Sequence, residues 1–288
     1  MKTYLECLPC FLKQTLKVME LNSIEENKRQ VIMKRIMENL ANIDLNKTPP
    51  EFAKVIYGTI TDSLGSKDLY KEIKERDNKH ALSLVPEVLE LINNSENPLF
   101  TAVKIAVAGN IIDFASSQDY NVKKTINHVI ENGFIVNDFE MFKKEIEKAK
   151  SVAYIADNSG EIVFDKLLIE EIMKKNNCKI DFFVRGFPII NDATKHDAKL
   201  IGIEDLENVE IKEIVDGFPN MKNKELIDSL EKYDLIISKG QANYECLSEL
   251  DANVYFLLIT KCPIIAKDLG VEAGKSLIKR QHITKRIE

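Results

Sequence analysis

The sequence has no run of apolar residues that approaches the roughly 20 needed for a bilayer-spanning helix. The segment from Met1 to Cys7 lacks the apolar core of a secretory signal peptide. Five cysteines are present among 288 residues, and this odd, modest number argues against a disulfide framework and is typical of a reducing compartment. We therefore predict a cytoplasmic protein with no membrane partner.

The sequence also lacks an excess of basic residues, with 40 Lys and Arg against 46 Asp and Glu and a formal net charge of -6. This balance gives no electrostatic reason to expect nucleic acid as a partner. Local basic residues could still bind a small phosphorylated metabolite. The phosphate-binding loop G-x-x-x-x-G-K-[ST] is absent, which argues against an ATPase of that class.

Cys7 and Cys10 form a C-x-x-C pair that no second such pair and no H-x-x-x-H motif accompanies. A structural zinc site usually needs four ligands, so this pair alone does not predict one. The pair is either structural or serves metal binding or redox sensing, and the sequence leaves these alternatives open.

Helical periodicity dominates residues 1 to about 150. Ile32, Ile36 and Leu40 recur every four residues, and residues 99–114 are almost continuously apolar, which favours a central buried helix. No alternation typical of strands is convincing in this half. We predict an all-helical N-terminal domain over residues 1–150.

Residues 151–288 instead alternate short apolar runs with helical segments, a pattern typical of a parallel sheet with helices on both faces. We predict a Rossmann-like α/β domain of about five strands here. The predicted strands are Val152–Ala156, Ile180–Val184, Val209–Val215, Leu235–Ser238 and Val254–Ile259. The predicted helices between and after them are Glu161–Lys175, Asp192–Ile201, Lys224–Lys232 and Tyr244–Leu250.

Unusual polar residues follow four of the five predicted strands. Because the carboxyl ends of parallel strands share one edge of the sheet, we expect these side chains to converge on one cleft. They are, in chain order, Asp157 and Asn158, then Arg185, Asn191 and Asp192, then Lys239, Gly240, Gln241 and Asn243, and finally Lys261.

Asp157, Asn158 and Asp192 can supply three oxygen ligands for a hard divalent cation such as Mg or Mn. The backbone at Gly240 and the start of the next helix could bind an anion. The side chains that could balance phosphate oxygens are Arg185, Lys239 and Lys261. A metal with flanking cations is what phosphoryl transfer to water requires.

Each of these residues also has a purely structural interpretation. Asp157, Asn158 or Asp192 could cap a helix, Lys239-Gly240 could be a plain turn, and Arg185 could form a surface ion pair. Their joint occurrence at one sheet edge favours a functional site.

Asn110 and Asp113 are three residues apart, so they share one face of an otherwise apolar helix. A buried amide and carboxylate need partners. Either they satisfy each other or a neighbouring helix in the core, or this helix packs over the sheet edge and lends both groups to the cleft.

The chain contains four ordered polar motifs, which are Gly109-Asn110-x-x-Asp113, Asp157-Asn158-x-Gly160-Glu161-x-x-x-Asp165, Arg185-Gly186-x-Pro188-x-x-Asn191-Asp192 and Lys239-Gly240-Gln241-x-Asn243-x-Glu245. These motifs resemble those of the damage-control phosphatase family, which is related to the acidic-residue methyltransferase-like proteins. The initial C-x-x-C is similar to the archaeal and bacterial branch of that family. Ala242 departs from relatives that often have Gly there, which bears on loop flexibility.

The resemblance implies a helical domain joined to a Rossmann-like domain, and a phosphatase that uses Mn, Ni, Co or Mg. Its substrates would be damaged or surplus phosphometabolites such as sugar phosphates or modified nucleotides. The implied metal ligands are Asp157, Asn158 and Asp192. The predicted substrate contacts are Asn110, Asp113, Glu161, Arg185, Lys239, Gly240, Gln241 and Asn243, with Lys261 assigned a catalytic role on the phosphate.

Asp157 is also a catalytic candidate, either as a nucleophile that forms an aspartyl-phosphate or as a ligand that orients water.

The alternatives to a phosphatase are a methyltransferase that uses S-adenosylmethionine and a non-catalytic nucleotide-binding protein. A methyltransferase usually has a glycine-rich loop after the first strand, where this chain has only Gly160. A haloacid-dehalogenase phosphatase needs Asp-x-Asp, where this chain has Ser159. The sequence defines neither substrate nor oligomeric state.

Overall fold

The computed structural model describes residues 1–66, 68–110, 129 and 131–281. These residues form a mixed α/β structure with a seven-stranded, mostly parallel sheet and eleven helices. Strands β1 to β7 are Val136–Asn137, Ser151–Ile155, Lys179–Arg185, Val209–Ile214, Leu235–Lys239, Val254–Ile259 and Ser276–Arg280. Helices α1 to α11 are Cys7–Leu21, Glu26–Ala41, Pro49–Leu64, Lys71–Asn93, Pro98–Gly109, Phe139–Ile146, Glu161–Lys175, Lys195–Leu200, Lys224–Leu230, Gly240–Leu247 and Pro263–Leu269.

The sheet has the strand order β1-β7-β6-β5-β2-β3-β4, and β6 pairs with β7 in antiparallel fashion while the other described neighbours are parallel. The chain winds outward from β2 in both directions, through β3 and β4 on one side and through β5 and β6 on the other. The boundary between β2 and β5 is therefore a topological switch point, which is where open α/β sheets bind ligands.

Both faces of the sheet are buried, and β2 shows why its apolar run has no polar alternation. Val152 and Tyr154 belong to the core on one face, whereas Ala153 and Ile155 belong to the core on the other. Successive side chains of a strand point to opposite faces, so a strand covered on both sides is apolar throughout.

Helices from the N-terminal half cover both faces of the sheet. Residues of α1, α2 and α3 share one hydrophobic core with Ala153 and Ile155, and residues of α4 and α5 share the other core with Val152 and Tyr154. The helical half and the sheet are therefore packed together through continuous cores. The division of the chain into two domains at residue 150 stays a prediction.

All five predicted strands are present, and the sheet has two more strands than expected. The prediction of an all-helical N-terminal half was wrong at β1, whose two residues are too few to show any alternation. The strand β7 was missed because it runs antiparallel to β6 at the end of the described chain, outside the strand-helix pattern. The apolar helix predicted at 99–114 is observed as α5, and its remainder beyond Asn110 lies outside the described residues.

Within the described residues, no helix is both long enough and apolar enough to cross a membrane.

Candidate active site

The turn between β2 and α7 lies against the loop that follows β3. The backbone N–H of Ala193 donates to the carbonyl of Asp157 at 2.8 Å, and Asn158 pairs with Asp192 in an isolated antiparallel bridge. Asp157 and Asp192 are buried, and Asn158 is half-buried. The three predicted metal ligands therefore lie on two adjoining segments at the carboxyl edge of the sheet.

The carboxylate of Asp157 is held through one of its two oxygens. Its Oδ2 accepts hydrogen bonds from Nδ2 of Asn110 and from Nδ2 of Asn158, each at 2.8 Å. Its Oδ1 lies 3.7 Å from Nη2 of Arg185 and accepts no hydrogen bond from the described part of the chain. Oδ1 is therefore the oxygen of Asp157 that is available to a ligand.

The two predicted ligand carboxylates are short of positive charge. Burial raises the pKa of Asp157 to about 7, the charges of Glu161 and Asp192 add to the effect, and Arg185 and Lys261 oppose it. Burial also raises the pKa of Asp192, although its pairing with Arg185 works in the opposite direction. A bound cation would stabilise the ionised form of both groups, because opposite charge within a few ångströms lowers a carboxyl pKa.

Glycine is required where the end of β5 passes Asp157. Gly240 has φ of 74°, and a Cβ at this position would lie 1.9 Å from Oδ2 of Asp157. Glycine adopts positive φ without steric cost and lets the backbone approach this closely. Lys239-Gly240 is therefore not a plain turn but the junction of β5 and α10, in contact with Asp157 across the switch point.

Arg185 is buried at the end of β3 and is not part of a surface ion pair, so that alternative was wrong. Its Nε donates to Oδ2 of Asp192 at 2.6 Å, and its Nη1 donates to Oδ1 of Asn243 at 2.9 Å. The guanidinium also lies 4.3 Å from the ring centroid of Phe218. These contacts fix Asp192, and they leave Nη2 directed at Asp157 as the one guanidinium nitrogen without a hydrogen bond among the described residues.

Lys239, which was predicted to contact phosphate, is fully buried beneath the site. Its ammonium group has three acceptors: the carbonyl of Ala106 at 2.8 Å, Oε1 of Glu161 at 2.6 Å and Oδ1 of Asp165 at 2.5 Å. Burial alone would raise the pKa of Glu161, but Lys239 and hydrogen bonds from Asn110 and other amides outweigh it and lower that pKa. Lys239 and Glu161 thus form a fixed ion pair that supports the turn.

The segments after β5 and β6 are joined by Gln241. Its Oε1 accepts from the backbone N–H groups of Lys261 and Cys262, each at 2.9 Å. The side chain of Lys261 reaches the carbonyl of Asn110, so its ammonium group lies beside the residue that holds Asp157. Asn243 is buried and donates to backbone carbonyls at the ends of β2 and β5.

The structure thus brings the described candidates together at one edge, and their functional roles stay predictions. Asp113 lies outside the described residues. The residues that converge are Asn110, Asp157, Asn158, Glu161, Arg185, Asp192, Lys239, Gly240, Gln241, Asn243 and Lys261.

The donor set at this edge fits a hard divalent cation. Within the described ranges, no group of three or more His, Cys, Asp or Glu side chains could hold a metal, and the candidate set at this edge has only two such side chains together with an amide. Asp157, Asn158 and Asp192 are two carboxylates and one amide, and Oδ1 of Asp157 and Oδ1 of Asp192 each lack a hydrogen-bond donor among the described residues. Oxygen donors of this kind suit Mg or Mn, which complete their shells with water and substrate oxygens.

The C-x-x-C pair lies at the start of α1, with Cys7 half-buried and Cys10 exposed. Burial is the largest cause that raises the pKa of both thiols, and the neighbouring Cys262 adds to it. A raised pKa keeps the thiols protonated and slow to react at neutral pH. The role of the pair stays a prediction.

A cavity of about 650 Å³ lies between α3 and the loop that follows β3. Its lining includes Tyr57 and Gly58 on one side and Phe187 and Pro188 on the other. Burial is the largest cause that raises the pKa of Tyr57, and Asp192 is among the negative groups that add to it. Tyr57 therefore lines this cavity and is subject to the negative charge of Asp192.

Sequence reasoning missed one residue that contacts the site, Asn78 of α4. Its Oδ1 accepts from the backbone N–H of Gly160 at 2.6 Å, across 82 residues of sequence. No spacing rule links residues so far apart. The one available signal was the spacing of Lys74 and Asn78, which lie four residues apart on one face of α4. Both are buried in the structure, and buried polar side chains need partners, so this face indicated a polar contact.

A comparison with known families decides the relationship, since the model of the damage-control phosphatase ARMT1-like domain matches residues 3–277. The chain belongs to this family. A damage-control phosphatase of Archaeoglobus fulgidus is 35% identical over 260 residues, which cover 86% of each chain. Another, from Pyrococcus horikoshii, is 32% identical over 97% of this chain and 98% of its own.

The crystal structure of a DUF89 family protein from Pyrococcus horikoshii has the same fold, with a TM-score of 0.87 and 30% identity over 98% of this chain and 100% of that one. The family that the ordered motifs indicated is thus confirmed. Its named members support the assignment of this chain as a phosphatase.

Replacing Gly240 tests the contact with Asp157. Gly240→Ala and Gly270→Ala both place a side chain at φ near 70°, which costs about 1–2 kcal/mol, but a Cβ at Gly270 meets nothing within 4 Å. We expect Gly240→Ala to lower the free energy of unfolding by clearly more than Gly270→Ala, and to abolish phosphatase activity that Gly270→Ala retains. Urea denaturation and phosphate release measure the two effects, and equal losses in both variants would contradict the contact.

Proposed function

We propose that this protein is a metal-dependent phosphatase that hydrolyses phosphate monoesters of small metabolites, such as damaged or surplus sugar phosphates or nucleotides. The observation that carries this proposal is the convergence of Asp157, Asn158 and Asp192 at the switch point, with an unbonded oxygen on each carboxylate and raised pKa values. Membership of a family that includes named damage-control phosphatases supports it. The structure supports a hard cation without selecting among Mn, Ni, Co and Mg.

In this proposal, Asp157, Asn158 and Asp192 would hold the divalent cation. When bound, the cation would polarise the phosphoryl group and stabilise the negative charge that develops during transfer to water. Arg185 keeps Asp192 in place through its Nε, and the Lys239–Glu161 pair keeps the turn in place from below. We assign Arg185 and Lys239 to positioning these residues rather than to binding phosphate, because the described hydrogen bonds of both side chains are to protein groups.

Lys261 is the cation that can reach a substrate phosphate in this proposal. Its side chain is exposed, and its described acceptor is a backbone carbonyl, which a phosphate can replace. Gln241 holds the backbone of Lys261, so the loop is fixed while the side chain can turn. We further propose that the cavity between α3 and the loop after β3 receives the organic part of the substrate.

Isosteric removal of the charges tests the proposal. We expect purified, metal-stripped protein to hydrolyse para-nitrophenyl phosphate only after Mn, Co, Ni or Mg is added. Asp157→Asn or Asp192→Asn should reduce this rate by about 10²–10³-fold, the loss seen when one transition-state contact is removed. Asp251→Asn, at an exposed position, is the matched control and should keep full activity.

Ligand binding without metal-dependent turnover would instead support a non-catalytic nucleotide-binding protein. Binding of S-adenosylmethionine with methyl transfer would support the methyltransferase. Full activity in either carboxylate variant would defeat the site assignment.

The hydrogen bonds of Asp157 make its two possible roles exclusive of each other. Because Oδ2 already accepts from two amides, Oδ1 is left either to hold a cation or to attack phosphorus, and it cannot do both. Because Asp157 lies with Asn158 and Asp192 in the proposed cation site, we propose that Asp157 is a ligand and that water is the nucleophile. Turnover in ¹⁸O-labelled water should then place ¹⁸O in the released phosphate while acid-quenched protein carries no phosphate on Asp157. A phosphorylated Asp157 would contradict this role.

A further inference from the structure

A buried asparagine on α4 is hydrogen-bonded to both segments that carry the acidic cluster. The Oδ1 of Asn78 accepts from the backbone N–H of Gly160, at the end of the turn that bears Asp157 and Asn158. The Nδ2 of Asn78 donates to Oδ1 of Asp197 at 3.1 Å. Asn78 is 0% exposed, so neither bond competes with water.

Each of the two groups that Asn78 satisfies has a structural reason to need a partner. Gly160 precedes α7, has φ of 77°, and its N–H belongs to the unpaired donors at a helix start. Asp197 completes the capping box of α8, whose N-cap is Thr194, because its Oδ2 accepts from the backbone and the hydroxyl of Thr194 at 2.9 and 2.6 Å. A buried group that loses such a partner keeps the full cost of its desolvation.

The amide of Asn78 is itself held in one orientation by its surroundings. Lys74, one helical turn earlier on α4, bonds Oδ2 of Asp197 at 3.1 Å and pairs with Asp68 at 2.9 Å. The carboxylate of Asp197 can therefore only accept from Asn78, which directs Nδ2 toward Asp197 and Oδ1 toward Gly160. This network is buried and fully partnered, and such networks specify a single arrangement.

We propose that Asn78 is a positioning residue that sets the turn after β2 against the segment after β3, and so sets the separation of Asp157 and Asn158 from Asp192. This inference rests on the proposed function only in that those residues would hold the cation. Asn78 has no exposure to a substrate, so its effect passes through Gly160 and Asp197. Residues that orient metal ligands in this way typically change affinity or activity by about 10–100-fold when they are replaced.

Two substitutions separate positioning from stability. Asn78→Asp keeps an acceptor for the N–H of Gly160 but faces Asp197 with a second carboxylate, whereas Asn78→Leu has similar volume and keeps neither bond. Val88→Ala is the control, because it removes buried apolar volume from the same helix with no polar contact. Full-length protein is used for each variant.

Three measurements apply to each variant: hydrogen exchange of the peptide that contains Gly160, binding of Mn²⁺ alone by calorimetry, and metal-dependent hydrolysis of para-nitrophenyl phosphate. We expect Asn78→Leu to exchange faster at that peptide and to lose about 10–100-fold in Mn²⁺ affinity. Asn78→Asp keeps the bond to Gly160 but loses the bond to Asp197. It should therefore keep most of the exchange protection and lose less Mn²⁺ affinity than Asn78→Leu, even where its free energy of unfolding is no higher. Val88→Ala should change stability alone.

The inference is overturned if Asn78→Leu binds Mn²⁺ as tightly as the wild type does. It is also overturned if the loss of Mn²⁺ affinity in all three variants is proportional to their loss of free energy of unfolding. Absence of phosphatase activity in the wild type would count against the proposed function alone, because the exchange at Gly160 and the Mn²⁺ affinity are measured without turnover.

Discussion

The arrangement of this protein depends on negative charge buried at the switch point of its sheet. Asp157, Glu161, Asp165 and Asp192 are all buried there, and Lys239 and Arg185 are the two buried cations that contact them directly. Taking charges out of water is costly unless each is paired and hydrogen-bonded. The pairing is uneven, since Lys239 bonds Glu161 and one oxygen of Asp165 directly, whereas the cation nearest to Asp157 is a single guanidinium nitrogen 3.7 Å away. The second oxygen of Asp165 has no hydrogen-bond partner among the described residues.

This uneven pairing divides the buried charges into those that hold the site in place and those that remain available to a ligand. Lys239 and Arg185 serve as internal cations that fix the acidic turn and the loop after β3, respectively. Asp157 and Asp192 retain raised pKa values and unbonded oxygens, and perturbed carboxyl groups in a crevice are typical of functional sites. A divalent cation would supply the charge that the fold itself leaves out. The position of this carboxylate also explains why glycine stands at position 240, because the side chain of any larger residue would collide with Asp157 and displace it.

The sequence predicted the parallel sheet and the positions at which polar residues leave it, because both follow from local patterns. Five apolar runs became strands, and residues after their carboxyl ends converged as the topology of such sheets requires. The two-residue β1 is too short to show any alternation of apolar and polar residues, and the antiparallel β7 lies outside the strand-helix alternation, so neither strand was predicted. Local patterns also could not show that Lys239 and Arg185 point into the protein, since a charged residue after a strand can face solvent or core.

The role of Asn78 was out of reach for a different reason. Its partners, Gly160 and Asp197, come from other parts of the chain, and the contacts exist only once α4 packs on the sheet. Sequence periodicity shows which face of a helix is buried but not which distant backbone group that face meets. Contacts of this kind arise from tertiary packing, which is also where the geometry of the acidic cluster is set.

The central claim is that Asp157, Asn158 and Asp192 together hold one divalent cation. Diffraction from crystals grown with Mn²⁺, recorded where manganese scatters anomalously, tests it most directly. We expect one strong anomalous peak bounded by side-chain oxygens of these three residues. A peak elsewhere on the protein, or no peak at a Mn²⁺ concentration that supports activity, would contradict it.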